Sequence, residues 1–317
     1  MAPPPPDLEK RFEGCLLGLA IGDALGGRFE AQSADAIRAR FGTIGALITY
    51  PQDEIWYTDD TQMAIGVAET LVEHGRIVED ALCRTFAANY VPSRGYGRGA
   101  RVVLEAMEEG RDYRRVAEEY HPGGSFGNGA AMRVAPVGLM FRDDRQRLRD
   151  EAQAQSTPTH THPLGIEGAR LLALAVALCT HAAPFDRAAF FAELLVACES
   201  PEFRGQMWLA EQSRTAADLA ALGNQITALH SVPTAIASFA LAPDSFAETI
   251  GNVIFLGGDT DTLAAMAGAL SGAYLGADGL PPRLVELLET SPKGKAYLVQ
   301  LARALFARYG QMSPFPG

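Results

Sequence analysis

Apolar residues recur at helical spacing along most of this chain, and strand-like alternation is nearly absent. Phe12, Cys15, Leu16, Leu19 and Ala20 follow that spacing, as do Met63, Val67, Leu71 and Val72. The same pattern predicts helices over 81–90, 100–109, 130–141, 164–181, 187–197, 210–220, 231–239, 245–255, 262–275, 282–290 and 295–309. The expected fold is therefore all-α, its helices joined by Gly- and Pro-rich connections. Abundant Ala and Gly allow those helices to pack closely. No internal repeat of fixed period is present. A length of 317 residues is compatible with one or two domains, and no linker divides the chain. We expect one compact multi-helix domain over 7–317, preceded by a disordered Pro-rich tail at 1–6.

Hydrophobic residues make up 48% of the chain and charged ones 21%, the balance of a globular protein with a sizeable core. The net charge of -11 disfavours unassisted binding to nucleic acid or anionic membranes, so neither is expected as a partner. An anionic ligand would need local cations or helix N-termini. Cys15, Cys83, Cys179 and Cys198 are scattered singly in apolar stretches and form no CxxC pair, which suits reduced core residues. The start has no basic and apolar leader pattern, and the strongly apolar run Leu171 to Cys179 is too short to span a bilayer. The expectation is a cytoplasmic protein acting as a monomer.

Two acid-and-hydroxyl clusters open long apolar helical stretches: Tyr57-Thr58-Asp59-Asp60-Thr61 and Gly257-Gly258-Asp259-Thr260-Asp261-Thr262. Thr and Asp are good helix N-caps, and first-turn acids suit the macrodipole, so capping alone would explain either cluster. Capping does not require adjacent carboxylates in the first cluster. Nor does it require alternating Asp behind a Gly pair in the second. Brought together, the two would offer only hard oxygen ligands, suited to Mg²⁺, Mn²⁺ or Ca²⁺ and poorly suited to zinc or copper.

Other candidates lie in the connections, where binding and catalysis concentrate. Gly26-Gly27 reads as a helix exit into a mobile loop carrying Glu30, with a solvated cap as the alternative. Asp23, inside a Gly-rich apolar helix, needs partners. Gly123-Gly124-Ser125-Phe126-Gly127-Asn128-Gly129 precedes a helix near Ala130 and would cradle a phosphate, although a plain turn fits too. Tyr120 and Phe126 flank it and could stack on a base or simply pack. Arg94-Gly95-Tyr96-Gly97-Arg98-Gly99 is a second flexible loop, with two positive charges. In Thr159-His160-Thr161-His162 the imidazoles are two residues apart, which argues against a zinc pair and for a hydrogen-bonding His160, with an ordinary solvated loop histidine as the alternative. Gly223-Asn224-Gln225-Ile226 is a turn whose chemistry is not legible from composition.

In this order the motifs resemble the ADP-ribosylglycohydrolases, a family of metal-dependent all-α enzymes. The resemblance is carried by Gly22-Asp23-Ala24-Leu25-Gly26, Thr58-Asp59-Asp60-Thr61, Gly127-Asn128-Gly129 through Met132-Arg133, Thr159-His160 and Gly257 to Thr262. Arg94 to Gly97, Ser125 to Val134 and Gly223 to Ile236 look most like the serine-directed branch, which removes ADP-ribose from serine and cleaves poly(ADP-ribose) and O-acetyl-ADP-ribose. Arg133-Val134-Ala135-Pro136-Val137 is equally at home in the arginine-directed branch that reactivates dinitrogenase reductase. A third alternative is a non-catalytic ADP-ribose-binding or crystallin-like member.

The resemblance implies a dinuclear centre of two Mg²⁺ ions, with Mn²⁺ as a substitute. One ion would be held by Thr58, Asp59, Asp60 and Asp261, the other by Asp259, Asp261 and Thr262. Glu30 would lie on a flap over the metals, and Glu30, Asp60 and Asp261 would carry catalysis. The diphosphate would rest on Gly124, Ser125, Gly127 and Asn128, near Gly95, His160 and Ile226. Tyr120 and Phe126 would bracket the adenosine; the serine-directed pattern has Phe then Tyr, and the swap preserves stacking. ADP-ribosylated proteins or ADP-ribose derivatives are the implied partners.

Overall fold

The computed structural model describes residues 7–50, 53–181 and 184–312; the expected tail at 1–6 and the end of the expected domain at 313–317 lie outside them. Among the described residues there are helices and three isolated bridges but no strand. One continuous apolar core links the helices from Phe12 to Leu305.

At the centre, the Leu8–Gly26 helix lies against the Thr260–Leu275 helix, and both are buried along nearly their whole length. Gly14, Gly18, Gly22 and Gly26 recur every fourth residue and form one stripe. They run antiparallel against Gly272, Gly268, Ala264 and Thr260, and a Cβ on any of the four would overlap a backbone carbonyl of the partner helix. The two backbones thus touch with no side chain between them. This contact fixes the register that brings Asp23 beside the start of the second helix, where the Thr260 hydroxyl donates to the Gly26 carbonyl at 2.8 Å.

The helices Asp59–His74, Pro163–His181, Ala228–Leu241, Phe246–Ile254 and Lys295–Met312 pack around this pair. Pro163–His181 is long and apolar enough to cross a membrane, more than the shorter run Leu171 to Cys179 suggested. Its apolar window is 72% buried within the protein, which makes it a core helix.

Two expected helices are set differently. The one expected over 130–141 divides into Gly129–Met132 and Ala135–Met140, because Pro136 has no N–H to donate back across the junction. The one expected over 210–220 is instead Pro201–Gln212, opened by the Ser200 side chain accepting from the Phe203 amide. It stops at Ser213, after which the Asp218 carboxylate draws the chain into a turn by accepting from the Arg214 and Thr215 amides, each at 2.8 Å.

Candidate metal centre and substrate pocket

The two acid-and-hydroxyl clusters meet. Thr58 occupies the N-cap position of Asp59–His74 and Asp259 that of Thr260–Leu275, yet neither side chain caps its helix. The Thr58 hydroxyl donates instead to Asp23 at 2.7 Å and lies 3.3 Å from Asp60. Capping therefore does not account for these residues. Both clusters sit at helix N-termini, whose partial positive charge suits carboxylates.

Asp23 is the buried anchor of this arrangement. Its carboxylate accepts from the Thr58 amide, the Thr58 hydroxyl, the Thr61 amide and the Thr61 hydroxyl, at 2.5–3.0 Å. Composition flagged it only as an acid in need of partners; tertiary packing supplies them. On the opposite side, the Asn128 side-chain amide donates to Asp259 at 2.6 Å. The Asp259 amide donates to the Asn224 carbonyl, and the Asn224 side chain holds the Leu256 and Gly257 carbonyls. The turn at 223–226 thus shapes the second cluster.

Glu30 is exposed, and its segment is pinned rather than loose. The Ala31 amide donates to Gly258 O at 2.9 Å and the Gly258 amide to Gln32 O at 3.0 Å. Ala31 has φ 61°, a left-handed conformation that costs a residue with a Cβ about 1 kcal/mol. Gly27 leaves the first helix with an ordinary φ of -57°, so its role is closeness: a Cβ there would press on Thr58. The result brings carboxylate oxygens of Glu30, Asp259 and Asp261 within 4.8 Å of one another.

Burial first, and then mutual repulsion, pushes the Asp59 and Asp60 carboxyls well above their ordinary range. Asp23 and Asp259 rise to about 7 for the same reasons, and Asp261 and Glu30 are also raised. Asp60 Oδ1 is buried with no hydrogen-bond partner. So many acids in one buried place, one with an orphaned oxygen, fit a hard divalent cation as the missing partner. Thr58, Asp59, Asp60, Asp259, Asp261 and Thr262 are the residues available to hold it.

A cavity of about 400 Å³ opens from this cluster. Of the residues singled out in the sequence, Glu30, Asp59, Asp60, Gly95, Tyr120, Ser125, Gly127, Asn128, His160, Ile226, Asp259, Asp261 and Thr262 line it. Three do not. Thr58 is held by Asp23, Gly124 packs against Thr161 and His162, and the Phe126 ring meets His162 edge-on at 5.6 Å between centroids. The phosphate cradle is also less open than the glycines suggest. The Gly127 amide donates to Ser125 Oγ and the Asn128 amide to the Ile226 carbonyl, while the following helix is a single turn with little dipole to offer.

The positive charges of the second loop divide. Arg94 is bound to the buried Glu289 at 2.5 and 2.7 Å and to the Tyr57 carbonyl at 2.6 Å, and it lies 4.0 Å over the Tyr57 ring. It therefore fastens the strand of chain leading into Thr58 instead of offering charge to a ligand. Arg98 lines the cavity, as do Val103, Met132 and Arg133, none of which spacing had singled out as a site residue. Arg133 carried one signal: a lone cation inside an apolar run.

The ADP-ribosylglycohydrolase family pattern matches residues 4–314. ADP-ribosylhydrolase ARH3 of Homo sapiens is 32% identical, over 86% of this chain and 87% of that protein. ADP-ribosylhydrolase ARH3 of Danio rerio is 33% identical, over 94% and 90%. A solved ADP-ribosylglycohydrolase-related protein complex superposes with a TM-score of 0.74 at 26% identity, covering 95% of this chain and 99% of that one. The chain belongs to the ADP-ribosylglycohydrolase family. That family is metal-dependent and acts on ADP-ribosylated substrates.

Proposed function

We propose that this protein hydrolyses the O-glycosidic bond of serine-linked ADP-ribose, with poly(ADP-ribose) or O-acetyl-ADP-ribose as further substrates, and so reverses protein ADP-ribosylation. The observation that carries this reading is the convergence of Glu30, Asp259 and Asp261 within 4.8 Å at one end of a cavity large enough for a nucleotide sugar. Likeness to the ARH3 proteins supports the serine branch over the arginine one.

In this reading two Mg²⁺ ions, or Mn²⁺ in their place, supply Lewis acidity and lower the pKa of bound water when present. Asp59, Asp60, Asp259 and Asp261, with Thr58 and Thr262, hold them. The Ser125–Asn128 loop, Gly95 and His160 hold the diphosphate, and Tyr120 stands where it can flank the adenosine. Glu30 moves the proton, either to the leaving oxygen or from the attacking water; its raised pKa suits that task. We place the reaction in the cytoplasm on protein substrates, by a monomer that binds neither nucleic acid nor membrane.

The test is free ADP-ribose release from serine- and arginine-modified peptides in parallel. Serine release is expected, with Asp261→Ala lowering it by at least about a hundredfold. Release from arginine alone would overturn the acceptor assignment, and wild-type activity in Asp261→Ala would overturn the metal-centre reading.

A further inference from the structure

Arg133 is a buried cation without a carboxylate. It is 1% exposed, and no acid pairs with it among the described residues. Its Nε donates to Gln155 Oε1 at 2.8 Å and one NH2 group to the Gln155 carbonyl at 2.6 Å. Its guanidinium lies 4.8 Å over the Phe86 ring. A buried charge left unpaired is costly, so its retention at the wall of the cavity calls for a role.

A further donation goes to Met63 Sδ at 3.6 Å, and the role is visible in the contact that is left. Arg133 donates to Thr159 Oγ1 at 2.9 Å, and Thr159 Oγ1 lies 2.7 Å from His160 Nδ1. A hydroxyl has one proton to give. Thr159 is buried, its oxygen already accepts from Arg133, and no other acceptor for its proton lies among the described residues. The protein acceptor within reach of that proton is His160 Nδ1, which is bare in this arrangement. His160 is then neutral and protonated on Nε2. Nε2 abuts the cradle loop: a Cβ on Gly127 would lie 3.4 Å from it and one on Gly129 3.1 Å.

We infer that Arg133 and Thr159 are positioning residues that fix His160 as an Nε2–H donor facing the Gly127–Gly129 loop, ready for a phosphate oxygen of the ligand. The ligand half of this inference rests on the proposed function. Arg133 does not touch the ligand; it orients the group that does and adds positive potential behind the loop. This compensates for the cradle amides already spent on protein acceptors.

The experiment follows the ¹⁵N signals of His160, assigned with His160→Gln, in the full-length Mg²⁺-loaded protein, together with ADP-ribose binding and the KM and kcat of peptide hydrolysis. Wild type is expected to show only the neutral Nε2–H tautomer from pH 5 to 8. Thr159→Val should mix the tautomers, weaken ADP-ribose by about tenfold and raise KM more than it lowers kcat, with Thr159→Ser restoring both. Arg133→Met should act in the same direction, and Thr159→Val carries the test if that variant does not fold. An Nδ1–H wild type, or a Thr159→Val protein with unchanged tautomer and affinity, overturns the relay. A correct tautomer in a protein that binds no ADP-ribose overturns the proposed function and the ligand half instead.

Discussion

Asp23 does for the first acidic cluster what a capping residue does for a helix, but from another element. Four donors converge on its carboxylate. An Asn at this position presents its amide to groups that also donate. Asp23→Asn is expected to lose about 2–3 kcal/mol in urea denaturation above pH 7, where the carboxyl is ionised, because buried donors lose a charged acceptor. His160 supplies a different measurement. Burial first, and then the Arg133 cation, lowers its pKa to about 3, against 6.5 in the unfolded chain. Between those values only the unfolded state takes up the proton, so His160 makes stability fall as pH drops from 6.5 towards 3. The slope is about 1.4 kcal/mol per pH unit for one proton. Other acids contribute in the same window, so the comparison is between wild type and His160→Gln: the variant should have the shallower fall, and parallel curves would contradict the assignment.

At the scale of elements, the central helix pair is held by what its side chains lack. A Cβ on Gly268 would overlap the Gly18 carbonyl. Gly268→Ala should therefore force the backbones apart and cost about 1–3 kcal/mol, despite Ala's better helix propensity. Gly205, within Pro201–Gln212, has nothing within 4 Å of its Cβ position. Gly205→Ala should stabilise by about 0.5–1 kcal/mol. Opposite signs for one chemical change, read by thermal melts, would establish contact rather than propensity as the cause. Because the same pair aligns Asp23 with Asp261, Gly268→Ala should also weaken Mg²⁺ binding, an effect Gly205→Ala should not share.

Over the whole molecule, acids from distant parts of the chain are buried together at a cost in repulsion that a cation removes. A ligand that binds only the folded state stabilises it by mass action, about 2.7 kcal/mol at a hundredfold excess over Kd. The Tm should rise as Mg²⁺ is added to chelator-stripped protein and level off at saturation. Asp261→Ala should start with a smaller repulsive penalty and gain little from Mg²⁺. A flat Tm in wild type would show that this cluster is not a cation site under those conditions.

The all-helical class was legible because helix burial leaves a local period in the sequence, and the motifs Thr58-Asp59-Asp60-Thr61 and Gly257 to Thr262 were legible because each is contiguous. That these side chains offer only hard oxygen donors followed from residue type alone. The break at Arg133-Val134 was harder to place, since Pro136 acts on a hydrogen bond that periodicity does not register. Tyr113–Tyr120 has no buried residue, and Arg145–Ser156 buries only Leu148 and Ala152 as apolar residues, so both left too little apolar pattern to be found. What only the tertiary structure decided is who meets whom. It decided that Thr58 serves Asp23 and not its own helix, that Arg94 belongs to Glu289, that Phe126 turns to His162, and that Arg133 reaches His160 through Thr159. Sequence encodes the periodicity of one helix within a few turns, whereas these pairings join residues from 26 to 195 positions apart, which only the packing of one element on another brings together.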